Sequence, residues 1–240
     1  MYGWRGRIGH TMPSILDNDS EWNAILPEGV VMVFATLGVQ DHVPEEFDRA
    51  AAKYEDAVHA LAREKAGAII MGGSPVLEYK NAKSEDKSWS DKLTKATGVP
   101  CTTTRQASNE AMRALGIKRV VVATPWKDEL NQRTKTSLED ADFKVLGIEG
   151  LQIGPTVDIA MLPEYANYRL AREVFARHPK ADGILIPCAR FPSVKNIEKL
   201  EHDCGVPVVT STQAMIWWGL RKLNLREPIR GFGRLLEEKL

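Results

Sequence analysis

Three pairs of segments recur in the same order along the chain, and this repeat constrains the fold more than any bulk property does. Arg7–Pro13 (RIGHTMP) lines up with Arg119–Pro125 (RVVVATP), each a strand candidate ending in Thr-x-Pro or Thr-Pro. Gly67–Gly72 (GAIIMG) lines up with Gly183–Cys188 (GILIPC), and Gly98–Ala107 (GVPCTTTRQA) with Gly205–Ala214 (GVPVVTSTQA). One match of this kind arises by chance; three in one order indicate a duplicated unit. The expected division is a first half over residues 1–116, a second over 117–212, and a terminal helical segment over 213–240 that packs back on the first half.

Short apolar runs alternate with longer helical patterns. The runs expected to form strands are Arg7–Met12, Val30–Thr36, Gly67–Met71, Pro100–Thr104, Arg119–Thr124, Lys144–Ile148, Gly183–Pro187 and Pro207–Ser211. Between them lie amphipathic stretches such as Glu45–Lys65, whose apolar positions recur at steps of three and four. Continuous apolar strands alternating with helices mean parallel sheets covered on both faces. The fold class expected is therefore α/β: two pseudo-symmetric halves, each a four-stranded parallel sheet flanked by helices, with the active site in the cleft between them. Ligands of such sheets bind at the carboxyl ends of strands, so the strand tips are where function is sought.

Charge and cysteine usage narrow the function. Lys+Arg and Asp+Glu both number 32, so no net field recruits nucleic acid or an anionic membrane. No apolar run approaches the ~20 residues that span a bilayer, and the N-terminal MYGWRGRIGH lacks the apolar core of a secretory signal. Cys101, Cys188 and Cys204 are an odd set without CxxC spacing, which fits free thiols in a reducing cytoplasm. There is no GxGxxG, P-loop or HExxH pattern, so the expected chemistry uses neither cofactor nor metal.

The candidate site follows from the repeat. Cys188 ends a buried run, where backbone N–H groups and a following helix start would favour negative charge on sulfur. Matched against it stands Gly72, followed by Gly73 and Ser74, a backbone and hydroxyl cradle suited to an oxyanion or carboxylate. Pro13-Ser14 and Pro125-Trp126 end the first strand of each half, and the indole of Trp126 donates one hydrogen bond and accepts none. Ala189 and Arg190 follow the cysteine. Arg190 is either a bidentate carboxylate partner or a solvated helix residue. His10 is expected to pack or hydrogen-bond within its strand, and Trp217-Trp218 to sit in the core or at an oligomer interface. Asp48, Glu55, Asp56 and Glu64 read as solvated helix faces.

GVPCTTT, ALGIKRVVVATPWKDELNQR, DGILIPCARF and LEHDCGVPVVTSTQA together resemble the aspartate/glutamate racemase superfamily, and within it the arylmalonate decarboxylases and maleate cis-trans isomerases. The resemblance covers nearly the whole chain and is weak over Ser14–Glu28. It implies that racemases and isomerases use a cysteine at each third-strand tip, whereas the decarboxylases keep only the second. This chain has the decarboxylase asymmetry. The implied activity is cofactor-independent loss of CO2 from a substituted malonate, with Cys188 protonating the enediolate. Pro13 and Ser74 fit the decarboxylase pattern. Gly73-Ser74 stands where that pattern has Thr-Ser, and Trp126 where it has tyrosine. The alternatives are an isomerase or racemase of a small carboxylic acid, in which His10 or a hydroxyl replaces the missing thiol, and a non-catalytic small-carboxylate binding protein. The partner expected is a small carboxylic acid, with a homo-oligomer possible and neither nucleic acid nor membrane involved.

Overall fold

The computed structural model of the protein describes residues 2–15, 19–73, 75–76 and 85–240, so Ser74 of the expected cradle lies outside the described residues. β1 (Gly6–Met12), β2 (Val30–Thr36), β3 (Ala68–Met71) and β4 (Cys101–Thr103) form one sheet in the order β2-β1-β3-β4. β5 (Arg119–Thr124), β6 (Lys144–Gly150), β7 (Gly183–Ile186) and β8 (Val208–Thr210) form a second in the order β6-β5-β7-β8. Every pairing is parallel. The described helices are α1 (Asp19–Ile25), α2 (Pro44–Ala51), α3 (Tyr54–Arg63), α4 (Glu85–Thr97), α5 (Thr104–Ala114), α6 (Asp128–Asp140), α7 (Thr156–Ala160), α8 (Tyr165–Arg177), α9 (Ile197–Cys204), α10 (Ser211–Lys222) and α11 (Arg234–Glu238). None is long and apolar enough to cross a membrane.

The strands fall within one or two residues of expectation, most clearly where a short apolar run is buried on both faces, as in β3, β5 and β7; β2 and β6 are only partly buried. The stretch Glu45–Lys65 differs. It is broken into α2 and α3 at Ala52-Lys53, where Lys53 N–H bonds the Ala50 carbonyl in a tighter i to i+3 turn.

Sheet register corrects the repeat by one residue. Gly67 N–H donates to the Arg7 carbonyl, and its structural equivalent is Asp182, whose N–H donates to the Arg119 carbonyl. Ile69 pairs with Cys101 as Ile184 pairs with Val208. Ala68–Gly73 therefore matches Gly183–Cys188, so the counterpart of Cys188 is Gly73, and Gly72 matches Pro187. The one-residue slip comes from matching Gly67 to Gly183. The first glycine precedes its strand, whereas the second begins one.

The halves meet through α5 and α10, which pack on each other. Each starts from the tip of its half's last strand with the same capping box, Thr103 with Gln106 and Thr210 with Gln213. α10 also lies against β1, β3 and α1 of the first half. A Cβ at Gly219 would stand 2.7 Å from Ile8 Cδ1, so glycine permits the close approach. Trp217 and Trp218 are buried in this shared core, which removes them as an exposed oligomer face. Past α10 the chain returns to the second half. α11 lies over β8, and Trp217 Nε1 donates to the Lys239 carbonyl at 2.9 Å. Replacing Thr210 with alanine removes one capping bond and is expected to cost about 1 kcal/mol, a fall in Tm of ~2–4 °C. Thermal denaturation checks this, and an unchanged Tm would show that the cap contributes nothing to this junction.

Candidate active site

The strand tips of both halves open into one cleft, lined from both sheets. The first half contributes Pro13 and Ser14 after β1, Gly73 after β3, and Thr104. The second contributes Trp126 after β5, then Cys188, Ala189 and Arg190 after β7, and Ser211 after β8. Apolar walls come from Met12, Val39, Phe47, Val76 and Ile159.

Among the described residues Cys188 is the only thiol on the cleft. No helix starts directly behind it. The chain makes a turn in which Phe191 N–H donates to the Cys188 carbonyl, and a 3-10 turn at Val194–Asn196 precedes α9. The N–H groups of Arg190 and Phe191 do favour the thiolate, but burial outweighs them and pushes the thiol up to about 11. Cys188 is therefore an S–H group at neutral pH, contrary to the charge-stabilising environment expected at this tip. The other two cysteines do not line the cleft. Cys101 Sγ bonds the Val99 carbonyl at 3.3 Å, and Cys204 ends α9.

The opposite wall differs from the expected cradle. Gly72 N–H bonds the Thr11 carbonyl at 3.1 Å and Thr11 Oγ1 at 3.0 Å, and the Gly72 carbonyl accepts from Tyr54 Oη. Gly72 therefore has no N–H to offer a ligand. Gly73 is the residue on the cleft, at φ +92°, a conformation that favours glycine, and a Cβ there would stand 2.9 Å from Tyr54 Oη.

The hydrogen-bonding groups converge from several elements. Trp126 is 1% exposed, and its Nε1 has no partner among the described residues. The same holds for Ser14 Oγ and Ser211 Oγ. Arg190 is buried in the cleft, not solvated on a helix, and donates to Thr156 Oγ1 at 2.9 Å. Thr156 in turn bonds the Gln40 carbonyl through both N–H and Oγ1, tying the segment after β6 to the loop after β2. His10 lies in its strand as expected, with Nδ1 3.1 Å from the Ile70 carbonyl, but it also lines the cleft. Burial pulls His10 and His42, a second cleft histidine, down to about 4, so both are neutral at pH 7.

Glu21, His42, Thr156 and Ser211 were not singled out as site residues in the sequence. Glu21 is the most consequential of these. Its Oε1 accepts from Ser193 N–H at 2.6 Å and Val194 N–H at 2.9 Å, linking α1 of the first half to the chain that follows Cys188. Burial, opposed by those two N–H groups, raises it to about 7. Nothing local separates Glu21, Thr156 or His42 from surface polar residues.

The arylmalonate decarboxylase family profile matches residues 17–236. An arylmalonate decarboxylase of Bordetella bronchiseptica is 31% identical over 84% of this chain and 84% of its own length. A maleate isomerase of Nocardia farcinica is 28% identical over 54% of this chain and 51% of its own. Among solved structures, a liganded arylmalonate decarboxylase with one glycine-to-cysteine and one cysteine-to-serine substitution superposes with a TM-score of 0.89 at 27% identity. That match covers 98% of this chain and 100% of the other. By the extent of the profile match and the identity to the Bordetella enzyme, this chain belongs to the arylmalonate decarboxylase family.

Proposed function

We propose that the protein is a cofactor-independent decarboxylase of substituted malonates in which Cys188 protonates the intermediate. The observation that carries this reading is a single cleft thiol whose structural counterpart is Gly73, which has no side chain to move a proton. The C–C bond to one carboxylate breaks and CO2 leaves. The electron pair it leaves behind is delocalised as an enediolate, whose carbon takes the Cys188 S–H proton. The resulting thiolate recovers a proton from solvent. Trp126 Nε1–H and the hydroxyls of Ser14 and Ser211 would donate to the enediolate oxygens, with Arg190 nearby for the retained carboxylate. Each well-placed donor contributes ~3 kcal/mol, about a hundredfold in rate. The apolar walls favour loss of the departing charge as neutral CO2.

A maleate isomerase relative keeps isomerisation as a second reading, but a mechanism with a thiol on each wall lacks half its apparatus here. The two readings need opposite forms of Cys188. A proton donor works as S–H, so activity should hold as pH rises and fall through about 11. A thiol adding to a double bond works as thiolate, so activity would climb toward the same pH. A kcat profile up to pH 11, read as CO2 release from a malonate and as isomerisation of maleate, separates them, and turnover of maleate that climbs with pH would contradict the proposal. Cys188→Ala is expected to lower turnover by about a hundred- to ten-thousandfold with Tm nearly unchanged, since that is the range general acid catalysis contributes. Full activity in that variant would contradict the role.

Glu21 adds a second pH effect. Its folded pKa lies above the ordinary carboxyl value of 4.5, so the ionised form is disfavoured in the fold. Stability from this group is full below 4.5 and is lost as pH rises through about 7. Ionisation also sets a negative charge near Cys188 and the anionic substrate. KM is therefore expected to rise between pH 6 and 8 in the wild type and to stay flat in Glu21→Gln. Identical KM profiles for the two would refute this.

A further inference from the structure

His10 is the one strongly polar side chain on the inner face of β1, among Trp22 and Phe34 at ring separations of 5.2 and 6.0 Å. It is 1% exposed and lines the cleft. Nδ1 faces a carbonyl oxygen, that of Ile70, which can only accept. The proton of the neutral ring must therefore sit on Nδ1, which leaves Nε2 as a lone-pair acceptor. Nε2 is buried and has no partner among the described residues. The ring position is fixed by glycine. A Cβ at Gly72 would stand 2.2 Å from His10 Cε1 and 2.8 Å from Nε2, so any side chain there would displace the imidazole. The ring thus fills the space over the residue next to Gly73 and shares the cleft with Cys188.

The remaining polar groups have a different sense. Trp126 Nε1 can only donate, and the hydroxyls of Ser14 and Ser211 can donate to an anion. Anionic oxygens suit those groups and are repelled by the Nε2 lone pair. A plain aryl or alkyl group against Nε2 leaves that acceptor as unpaired as it is in the free protein and gains no hydrogen bond. A group with its own N–H or O–H pairs it.

We infer that His10 Nε2 is a specificity-determining acceptor, and that the substrate is an acid whose α-carbon carries a hydrogen-bond donor, a hydroxyl or amino group, directed at that nitrogen. This rests on the carboxylic-acid site proposed above and narrows its substrate class to 2-hydroxy or 2-amino acids and the matching malonates. His10 acts on binding and selectivity and takes no part in the proton transfer from Cys188.

The test uses product-side acids, so that it does not depend on turnover. Calorimetric affinities are measured for matched pairs differing only in the α-hydroxyl, mandelate against phenylacetate and lactate against propionate, with wild type, His10→Leu and His10→Gln. Melting curves confirm that each variant is folded. Wild type is expected to favour the hydroxy acid by about tenfold or more, with unequal affinities for the two mandelate enantiomers. His10→Leu should lose or invert the preference, and His10→Gln, which keeps an amide oxygen as acceptor, should retain part of it. Should His10→Leu be unfolded, the His10→Gln result and the wild-type pair and enantiomer ratios still decide the question. Equal wild-type affinity within pairs, or a preference that survives in His10→Leu, overturns the inference while leaving the decarboxylase reading intact. Failure of all four acids to bind overturns both.

Discussion

The packing of α10 across the first sheet sets the distance between the two rows of strand tips, and the site depends on that distance. Gly219 brings the helix down on Ile8, Trp217 and Trp218 are buried in the same core, and α5 packs along it as its counterpart from the other half. One apolar cluster then runs continuously through both halves. The loop after β2 is bonded to the segment after β6, and α1 is bonded to the chain after Cys188. The cleft is therefore a joint between two sheets held from three sides.

Desolvation in that joint sets the charge states. Burial outweighs every other influence on Cys188, His10, His42 and Glu21, moving each toward its neutral form. A neutral thiol beside neutral imidazoles leaves Arg190 as the full charge lining the cleft. Such a site is suited to binding an anion and then lowering the cost of losing a carboxylate as CO2. Protonation would follow from a group that already carries its proton.

Much of this was legible in the sequence, and the failures share a cause. Strand positions were readable because short β-branched runs have one stable use in a doubly covered sheet. The repeat was readable because both fourth strands carry the same capping chemistry into a helix. The third-strand alignment slipped by one, since two glycines with different backbone roles invited a match that hydrogen-bond register alone could reject. That slip moved the counterpart of Cys188 from Gly73 to Gly72 and credited Gly72 with an N–H already bonded to Thr11. The solvated option for Arg190, and the absence of Glu21 and Thr156 from the expected site, have another origin. Their partners lie more than thirty residues away in sequence, where no local pattern reports them.

The central claim is that a proton reaches the substrate carbon from one wall only. Decarboxylation in D2O of a prochiral disubstituted malonate that the protein turns over tests it most directly. The account predicts one deuterium at the α-carbon per CO2 released, a single enantiomer of product, and no wash-in of deuterium when that product is returned to the enzyme. Racemic product, or exchange at the α-carbon without release of CO2, would contradict it.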